Sequence, residues 1–506
     1  MNNLPLLSLI IFVPWAGALL LALTPKLPAG ASRALALFFS LSTLALGTTV
    51  LSGFDPHETT LQLVEKHAWI SALNVRYHLG LDGLSLVLVL LTGVIAPVAL
   101  FGTVRAAKQP ALYAALFLFL QGAALGVFLA LDFFAWFIFW ELSLVPAFFL
   151  IKLWGGPGAT RAAYQFVIYT IGGSAFMLLG FAALYAATGT FDFVQLAALA
   201  QSGALTGKLA ALGSFWPHIV FLGVLLGLAV KVPLFPFHTW LPSAYAEAPT
   251  GASMFLTGVM SKMGVYGFLR ILWALFPSQL HAAAPCLIWL AVAGVVLGAY
   301  AALKQTDLKR MVAYSSVNHL SYCLLALFAV SMAGKPGEAS ASALSGAILQ
   351  MFNHGLSAAA LFFCVGLMGN RSGGLRGLND FGGVRTAAPV FAGLCGISMF
   401  SSLGLPGLNG FVGEFLIFRG VFGLAPWTAA VSTLGLLATA LFLLTFWQRV
   451  FHGPGKGAGI NFRDLDAGEI VTLLPLIALM FVLGIVPQLL AGLINPLVTA
   501  WVSHLP

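Results

Sequence analysis

Charge is what this sequence has least of. Only 8% of its 506 residues are Asp, Glu, Lys or Arg, where soluble domains carry about a quarter, and no long polar stretch interrupts the chain. A water-soluble globule and a string of separate soluble domains are both excluded. Cysteine is scarce too. Cys286, Cys323, Cys364 and Cys395 all lie within apolar runs and never in a CxxC spacing, so nothing arranges a disulfide framework, a zinc site or an iron–sulfur cluster. No Walker or Rossmann glycine pattern opens a βαβ unit, and no two histidines stand at HxxxH spacing. The chain is therefore expected to hold no cofactor and no metal of its own. A basic nucleic-acid face is missing as well. Lys+Arg 23 against Asp+Glu 15 gives a net charge of +8, but the positive residues are scattered one to three per loop, the pattern of membrane orientation.

What is present is hydrophobic: 60% of the residues, with a mean hydropathy of +0.99. A bilayer core about 30 Å thick is crossed by about 20 apolar residues. Fourteen runs meet that length, at 4 to 24, 33 to 53, 82 to 104, 111 to 130, 132 to 153, 163 to 187, 218 to 236, 249 to 276, 283 to 303, 308 to 330, 342 to 369, 387 to 422, 427 to 449 and 468 to 493. The first lacks the positive flank of a signal peptide and reads as an uncleaved span. The expected fold is an all-α polytopic membrane protein, one membrane domain over residues 1 to 506.

Loop charge sets the orientation. With the N-terminus outside, the inner loops hold Lys26, Arg33, Arg105, Lys108, Lys152, Arg161, Lys304, Lys309, Arg310, Arg371, Arg376, Arg385, Arg449, Lys456 and Arg463. The outer loops hold only Lys66, Arg76, Lys208 and Lys335. This satisfies the positive-inside rule, and an even number of spans leaves both termini outside. Lys309 and Arg310 read as topology anchors, Asp82 as the N-cap of the third span.

Two spans are broken by their own residues. The seventh, LLGLAVKVPLFPFHTWLP, carries Pro233 and Pro236 just after Lys231; the twelfth, SSLGLPGLNGFVGEFLIF, carries Pro406 and four glycines just before Glu414. Proline removes a helical N–H and clashes with the preceding turn, and irregular backbone survives at membrane depth only where it is buried or faces water. Two such helices five spans apart point to repeated transporter halves. The expected organisation is three N-terminal helices (1 to 105), inverted five-helix repeats (111 to 276 and 283 to 449), and a C-terminal helix (468 to 493).

Glu141, Lys231, Lys262 and Glu414 fall within these spans. At about 2.5–3.5 kcal/mol each, the four cost on the order of 10 kcal/mol on insertion scales. Structural ion pairing accounts for one such residue more readily than for the set, which reads as a chain of proton acceptors. His238, His319 and His354 extend it as candidate relays, since histidine titrates near neutrality. Ser315, Ser316, Asn318, Asn353, Ser357 and Tyr314 add polar positions, while His57, His67, His78, His218, His281, His452 and His504 read as surface.

These residues resemble a known family, the antiporter-like membrane subunits of proton-translocating NADH:quinone oxidoreductase, respiratory complex I. The resemblance rests on DGLSL at 82 to 86, FWELSLVP at 139 to 146, KVPLFPFHTWLP at 231 to 242, AEAPTGAS at 246 to 253, KMGVYGFLR at 262 to 270, TDLKRMVAYSSVNH at 306 to 319, NHGLSAAALF at 353 to 362 and GLPGLNGFVGEF at 404 to 415. Glutamate at 414, where relatives usually carry lysine, is similar to the middle of the three large subunits. The resemblance implies that Glu141 pairs with Lys231, that Lys262 is central, and that Glu414 ends the relay toward the outer face. It implies a bacterial inner membrane and partners that are other antiporter-like and small membrane subunits of the complex, in a lipid bilayer and without nucleic acid. NADH, FMN, iron–sulfur clusters and quinone would lie in partner subunits. One departure stands out: LPDAH in the family is LPSAY here, with Ser243 and Tyr245. The alternative class is a cation/proton antiporter subunit of a Mrp-type or membrane-hydrogenase-type complex.

Overall fold

An apolar run in lipid has to satisfy its own backbone, and a helix does so. The computed structural model follows that rule; it describes residues 4–103, 107–459, 462–503 and 505, so that Arg105 and His504 lie outside the described residues. Helices α1 (Leu6–Leu23) and α2 (Ala29–Gly53) precede a hairpin of β1 (Gln62–Ile70) and β2 (Val75–Leu81). Then come α3 (Gly83–Thr103), α4 (Pro110–Leu129), α5 (Phe133–Leu142), α6 (Leu144–Trp154), α7 (Ala159–Thr188), and the short α8 (Phe193–Gln201) and α9 (Ala204–Ala210). The first half closes with α10 (Trp216–Lys231), α11 (Trp240–Glu247), α12 (Thr250–Phe255), α13 (Ser261–Gly267) and α14 (Trp273–Leu275). The second half holds α15 (Pro277–Leu303), α16 (Leu308–Ala333), α17 (Glu338–Arg371), β3 (Phe381–Gly382), α18 (Val384–Ala387), α19 (Pro389–Ser402), α20 (Asn409–Leu424), α21 (Pro426–Phe451), β4 (Lys456–Gly457), α22 (Ala467–Ile485) and α23 (Gln488–Ser503).

Among the described residues eleven helices are long and apolar enough to cross a membrane, α5 and α6 counting as one. The runs expected at 218 to 236, 249 to 276 and 387 to 422 fall instead on divided helices: α10 with α11, α12 to α14, and α19 with α20. The run expected at 468 to 493 is also divided, because α22 ends at Ile485 and α23 begins after Pro487. The broken helices pack alike in the two halves, α10 against α7 and α20 against α17.

Polarity decides which helices lie inside. Helices α16 and α17, the least apolar of the eleven, are buried almost end to end, whereas α1, α2, α7 and α22 leave more than half of their apolar windows uncovered. Phe38, Leu179 and Ile485 stand on that uncovered surface. In lipid the exposed layer costs nothing when it is apolar, and polar side chains gain by facing one another.

The antiparallel hairpin β1–β2 lies in a stretch where the sequence suggested only a loop. Polar latches hold it to the bundle. Glu65 accepts from the Leu7 backbone N–H at 2.8 Å and from the Ser8 hydroxyl, supplying an acceptor to α1, which has no capping side chain of its own. Asp192, the N-cap of α8, accepts from Lys66 Nζ at 2.7 Å and pairs with His78 Nδ1 at 3.0 Å. Asp132 caps α5 and accepts from the Arg76 backbone at 3.2 Å. His78, expected at the surface, is buried by this latch.

Burial alone would raise the Asp192 carboxyl, but the hydrogen bonds and charges of His78 and Lys66 hold it well below the usual carboxylate range. A carboxyl lowered in the folded state stabilises it above the unfolded value, near pH 4, and that contribution is lost as pH falls through the folded value. The latch is thus closed across neutral pH and opens only in strong acid. Asp192→Asn is expected to weaken the attachment of β2 by about 1.5–3 kcal/mol, the range for hydrogen bonds to charged groups. Hydrogen exchange at neutral pH should show faster exchange confined to residues 75–81; unchanged protection would refute the latch.

Candidate functional site

Each of the four intramembrane charges stands where its helix is irregular. Glu141 precedes the turn at Ser143 between α5 and α6. Pro146 offers no N–H to the Leu142 carbonyl, and the Ser143 hydroxyl donates to Trp140 O at 2.7 Å. Lys231 is the last residue of α10, at the negative end of that helix's dipole. The Trp240 indole N–H takes the Val230 carbonyl at 2.9 Å, one of the groups that the break would otherwise orphan. Lys262 lies on α13 between two π-helical turns, Leu256–Met260 and Phe268–Leu272, a rare geometry that gathers at functional sites. Glu414 lies in the second turn of α20, past the break at 403 to 408.

Glycine fits the chain around two of these charges. A Cβ at Gly264 would run into Val232, so glycine there lets the Lys262 helix close on the end of α10. Gly404 has φ +77, and a Cβ there would stand 2.7 Å from Glu414 Oε2.

From Lys262 outward the polar groups stand close together, with one unbridged step between the two histidines. Lys262 Nζ, fully enclosed, donates to Thr257 O at 2.5 Å, reaches Ser261 Oγ at 3.2 Å and meets His354 Nδ1 at 2.8 Å. The His354 and His319 rings are 5.1 Å apart between centroids, and His319 Nδ1 lies 3.2 Å from Glu414 Oε1. Gln350 Nε2 braces the end of this line, 3.3 Å from Glu414 Oε1 and 3.4 Å from His319 Nδ1. His354 Nε2 and His319 Nε2 are without hydrogen-bond partners, so this line of titratable groups has a bonded contact at each end and two adjoining but unbridged rings at its middle. Helices α16 and α17 supply its centre, and the break before α20 supplies its end.

On the other side of Lys262 the groups are not joined. Glu141 and Lys231, the pair the resemblance implied, interact through their charges, but no direct ion pair within 4.0 Å links them among the described residues. The buried Lys231 Nζ has no hydrogen-bond partner; it lies 4.8 Å from the centroid of the Trp140 ring, whose N–H donates to Ser174 Oγ at 2.9 Å. A desolvated cation over an indole face is stabilised by about 2 kcal/mol, which holds the amine in place without neutralising it. His238 is not drawn into the line. It is half-buried and stacks on Phe235 at 5.3 Å, and its Nδ1 is unpartnered.

The proline sites divide the same way. Pro233 and Pro236 lie between α10 and α11, Pro406 between α19 and α20. Asn353 braces the second break, donating to Asn409 O at 2.7 Å, while Ser401 Oγ donates to Asn409 Oδ1 at 2.6 Å. Ser316 pairs with Thr257 Oγ1 at 2.9 Å and Asn318 donates to Thr439 Oγ1 at 2.7 Å. Gln350, Trp140, Asn409 and Ser401 were not singled out in the sequence. Gln350 had a signal, since Gln350, Asn353, His354 and Ser357 form one helical stripe; Trp140 had none beyond adjacency to Glu141.

At the end of the bundle away from the hairpin, a cavity of about 630 Å³ opens among α3, α4, α6, α12, α16 and α17. Arg376 closes one wall, pairing with Glu247 at 2.7 Å and Asp307 at 2.6 Å. Lys309, expected as an anchor, lines the cavity and donates to Ala248 O at 2.9 Å. Thr250 opens onto it.

Broken helices around a buried line of acid, amine and imidazole define a class of membrane protein, the ion-translocating subunits with interrupted spans. Residues 130–441 match the family described as NADH:quinone oxidoreductase/Mrp antiporter, transmembrane. NADH-quinone oxidoreductase subunit M of Mycobacterium tuberculosis is 35% identical over 534 residues, covering 98% of this chain and 94% of that one. Subunit M of Rhodobacter capsulatus is 35% identical over 513 residues, covering 99% and 96%. Among solved structures, respiratory complex I from Thermus thermophilus has a chain at TM-score 0.86 and 28% identity, covering 99% of this chain and all of that one. The Mrp complex from Dietzia matches at TM-score 0.83 and 20% identity, covering 99% of each chain, a likeness of fold. This chain belongs to the NADH-quinone oxidoreductase subunit M family.

Proposed function

We propose that the chain moves protons across the membrane as the M subunit of an NADH-quinone oxidoreductase, without redox chemistry of its own. The observation that carries this reading is the succession of adjoining side chains Lys262, His354, His319 and Glu414, in a chain of the subunit M family. Electron transfer belongs to partner subunits, where NADH, FMN, iron–sulfur clusters and quinone would reside. The chain would sit in a bacterial inner membrane with both termini outside, between other antiporter-like and small membrane subunits of the complex. The inverted five-helix repeat supplies two symmetrically placed breaks.

Glu141 and Lys231 are the element that the redox arm acts on. An acid within 4–6 Å stabilises an ammonium by about 1.4–4 kcal/mol, and moving one charge against 150 mV requires about 3.5 kcal/mol. One approach and separation of the pair therefore covers one proton and not two. Lys231 Nζ has no hydrogen-bond partner, which leaves the amine free to give up its proton once Glu141 moves away. Lys262 receives it and passes it through His354 and His319 to Glu414, which releases it toward the outer face.

Lys231→Met tests this. The complex, purified from its native membrane and reconstituted in liposomes, is expected to pump fewer protons per NADH oxidised, while NADH oxidation by an artificial acceptor stays unchanged. Unchanged pumping coupled to quinone reduction would remove Lys231 from the path.

A further inference from the structure

Titratable side chains adjoin one another from Lys262 to Glu414 but not from Lys231 to Lys262, and the gap between the two lysines has a definite composition. Lys231, Tyr245 and Ser261 face one void, closed in by Phe166, Trp240, Leu256 and Met260. It leaves no space in which the centre of a water-sized sphere fits, whereas a bridging water needs about 10–15 Å³ of such space. A proton crossing this void from Lys231 toward Lys262 finds no room for a bridging water and uses groups of the wall. The Trp240 N–H is committed to Val230 O, and Phe166 and Met260 have no exchangeable proton. That leaves the hydroxyls of Tyr245 and Ser261, which unlike an indole can accept as well as donate; Ser261 Oγ donates to Thr257 O at 2.8 Å and accepts from Lys262 Nζ at 3.2 Å.

We propose that Tyr245 is the relay and the gate between Lys231 and Lys262, a role that rests on the proton-carrying reading above. The phenol is buried, and its hydroxyl donates to Leu256 O at 3.0 Å. In that position its proton is occupied and the path is shut. The same carbonyl accepts the Ser261 N–H across the π turn Leu256–Met260. Release of the phenol is therefore tied to a change in the turn that positions Ser261 and Lys262. Once the Tyr245 hydroxyl turns away from Leu256 O and the Ser261 hydroxyl from Thr257 O, Lys231 gives a proton to the Tyr245 oxygen as Tyr245 passes its own proton to Ser261 and Ser261 passes its own to the neutral Lys262 amine. One proton leaves Lys231 and one arrives at Lys262; both hydroxyls stay intact and are reset by rotation. A phenol held on a carbonyl makes transfer conditional on helix geometry.

The test uses the whole reconstituted complex carrying Tyr245→Phe, which keeps the ring and removes the O–H. Protons pumped per NADH should fall by about one, the share of a single charge-moving step, with assembly and artificial-acceptor activity unchanged. Tyr245→His, which restores an exchangeable group, should recover pumping. Normal pumping with Tyr245→Phe while Lys231→Met loses it overturns the relay and leaves the proposed function standing. Normal pumping in both variants removes Lys231 from the path and overturns the relay with it. Loss in Tyr245→Phe without recovery in Tyr245→His assigns the effect to packing and also overturns the relay. Where Tyr245→Phe does not assemble, Ser261→Ala decides: the same loss supports the relay, and no loss overturns it.

Discussion

With Lys262 replaced by methionine, coupled quinone reduction is expected to fall about a hundredfold. The reasoning is electrostatic: a charge at mid-membrane costs about 2.5–3.5 kcal/mol, and each 1.36 kcal/mol of barrier is a tenfold change in rate. Without the amine, a proton crossing from Ser261 to His354 must carry that cost unaided. Methionine keeps the length of the side chain and leaves Thr257 O and His354 Nδ1 without their donor. Lys262→Arg separates charge from proton exchange. A guanidinium remains protonated and cannot hand on a proton, so arginine should be nearly as inactive as methionine. If arginine supports normal pumping, Lys262 contributes a fixed charge and is no carrier. Steady-state NADH:quinone rates with and without an uncoupler, read beside proton uptake into liposomes, distinguish a blocked path from a leak.

Glu414→Gln carries the second large effect. Glutamine preserves the shape and a partner for Gln350, but it cannot receive a proton from His319 at the end of the line. Release to the outer face should slow by about tenfold, the 1.36 kcal/mol lost with one charge-assisted contact. Glu414→Asp, which keeps the carboxylate, should retain most of the activity. Equal rates for the two variants would show that the carboxylate is a structural partner of His319 rather than the terminal acceptor.

The sequence made the expensive residues visible because charge in an apolar run is rare and costly: Glu141, Lys231, Lys262 and Glu414 were found by that argument alone. Pro233, Pro236 and Pro406 likewise marked the two breaks, since proline acts through local chemistry. Other irregularities left weaker marks. The π turns beside Lys262 involve no proline, and the turn after Glu141 depends on a proline that also fits a simple kink. The hairpin was missed because its alternation is too weak in β1 to read as a strand. Its latch joins Lys66 and His78 to Asp192, more than a hundred residues away.

Composition and local chemistry by themselves determined that the chain spans a membrane, which helices break, and which residues bear buried charge. These follow from transfer cost and from proline geometry, both of which act within one segment. Only the tertiary structure decided which charges meet. Lys262, His354, His319 and Glu414 come from four helices and are brought together by the burial of α16 and α17. Glu141 and Lys231, which the resemblance paired, interact by charge without a direct ion pair, and His238 stays outside the line. Contact between side chains on different helices depends on the rotation and depth of each helix. Helix packing sets those quantities, and no single apolar run encodes them.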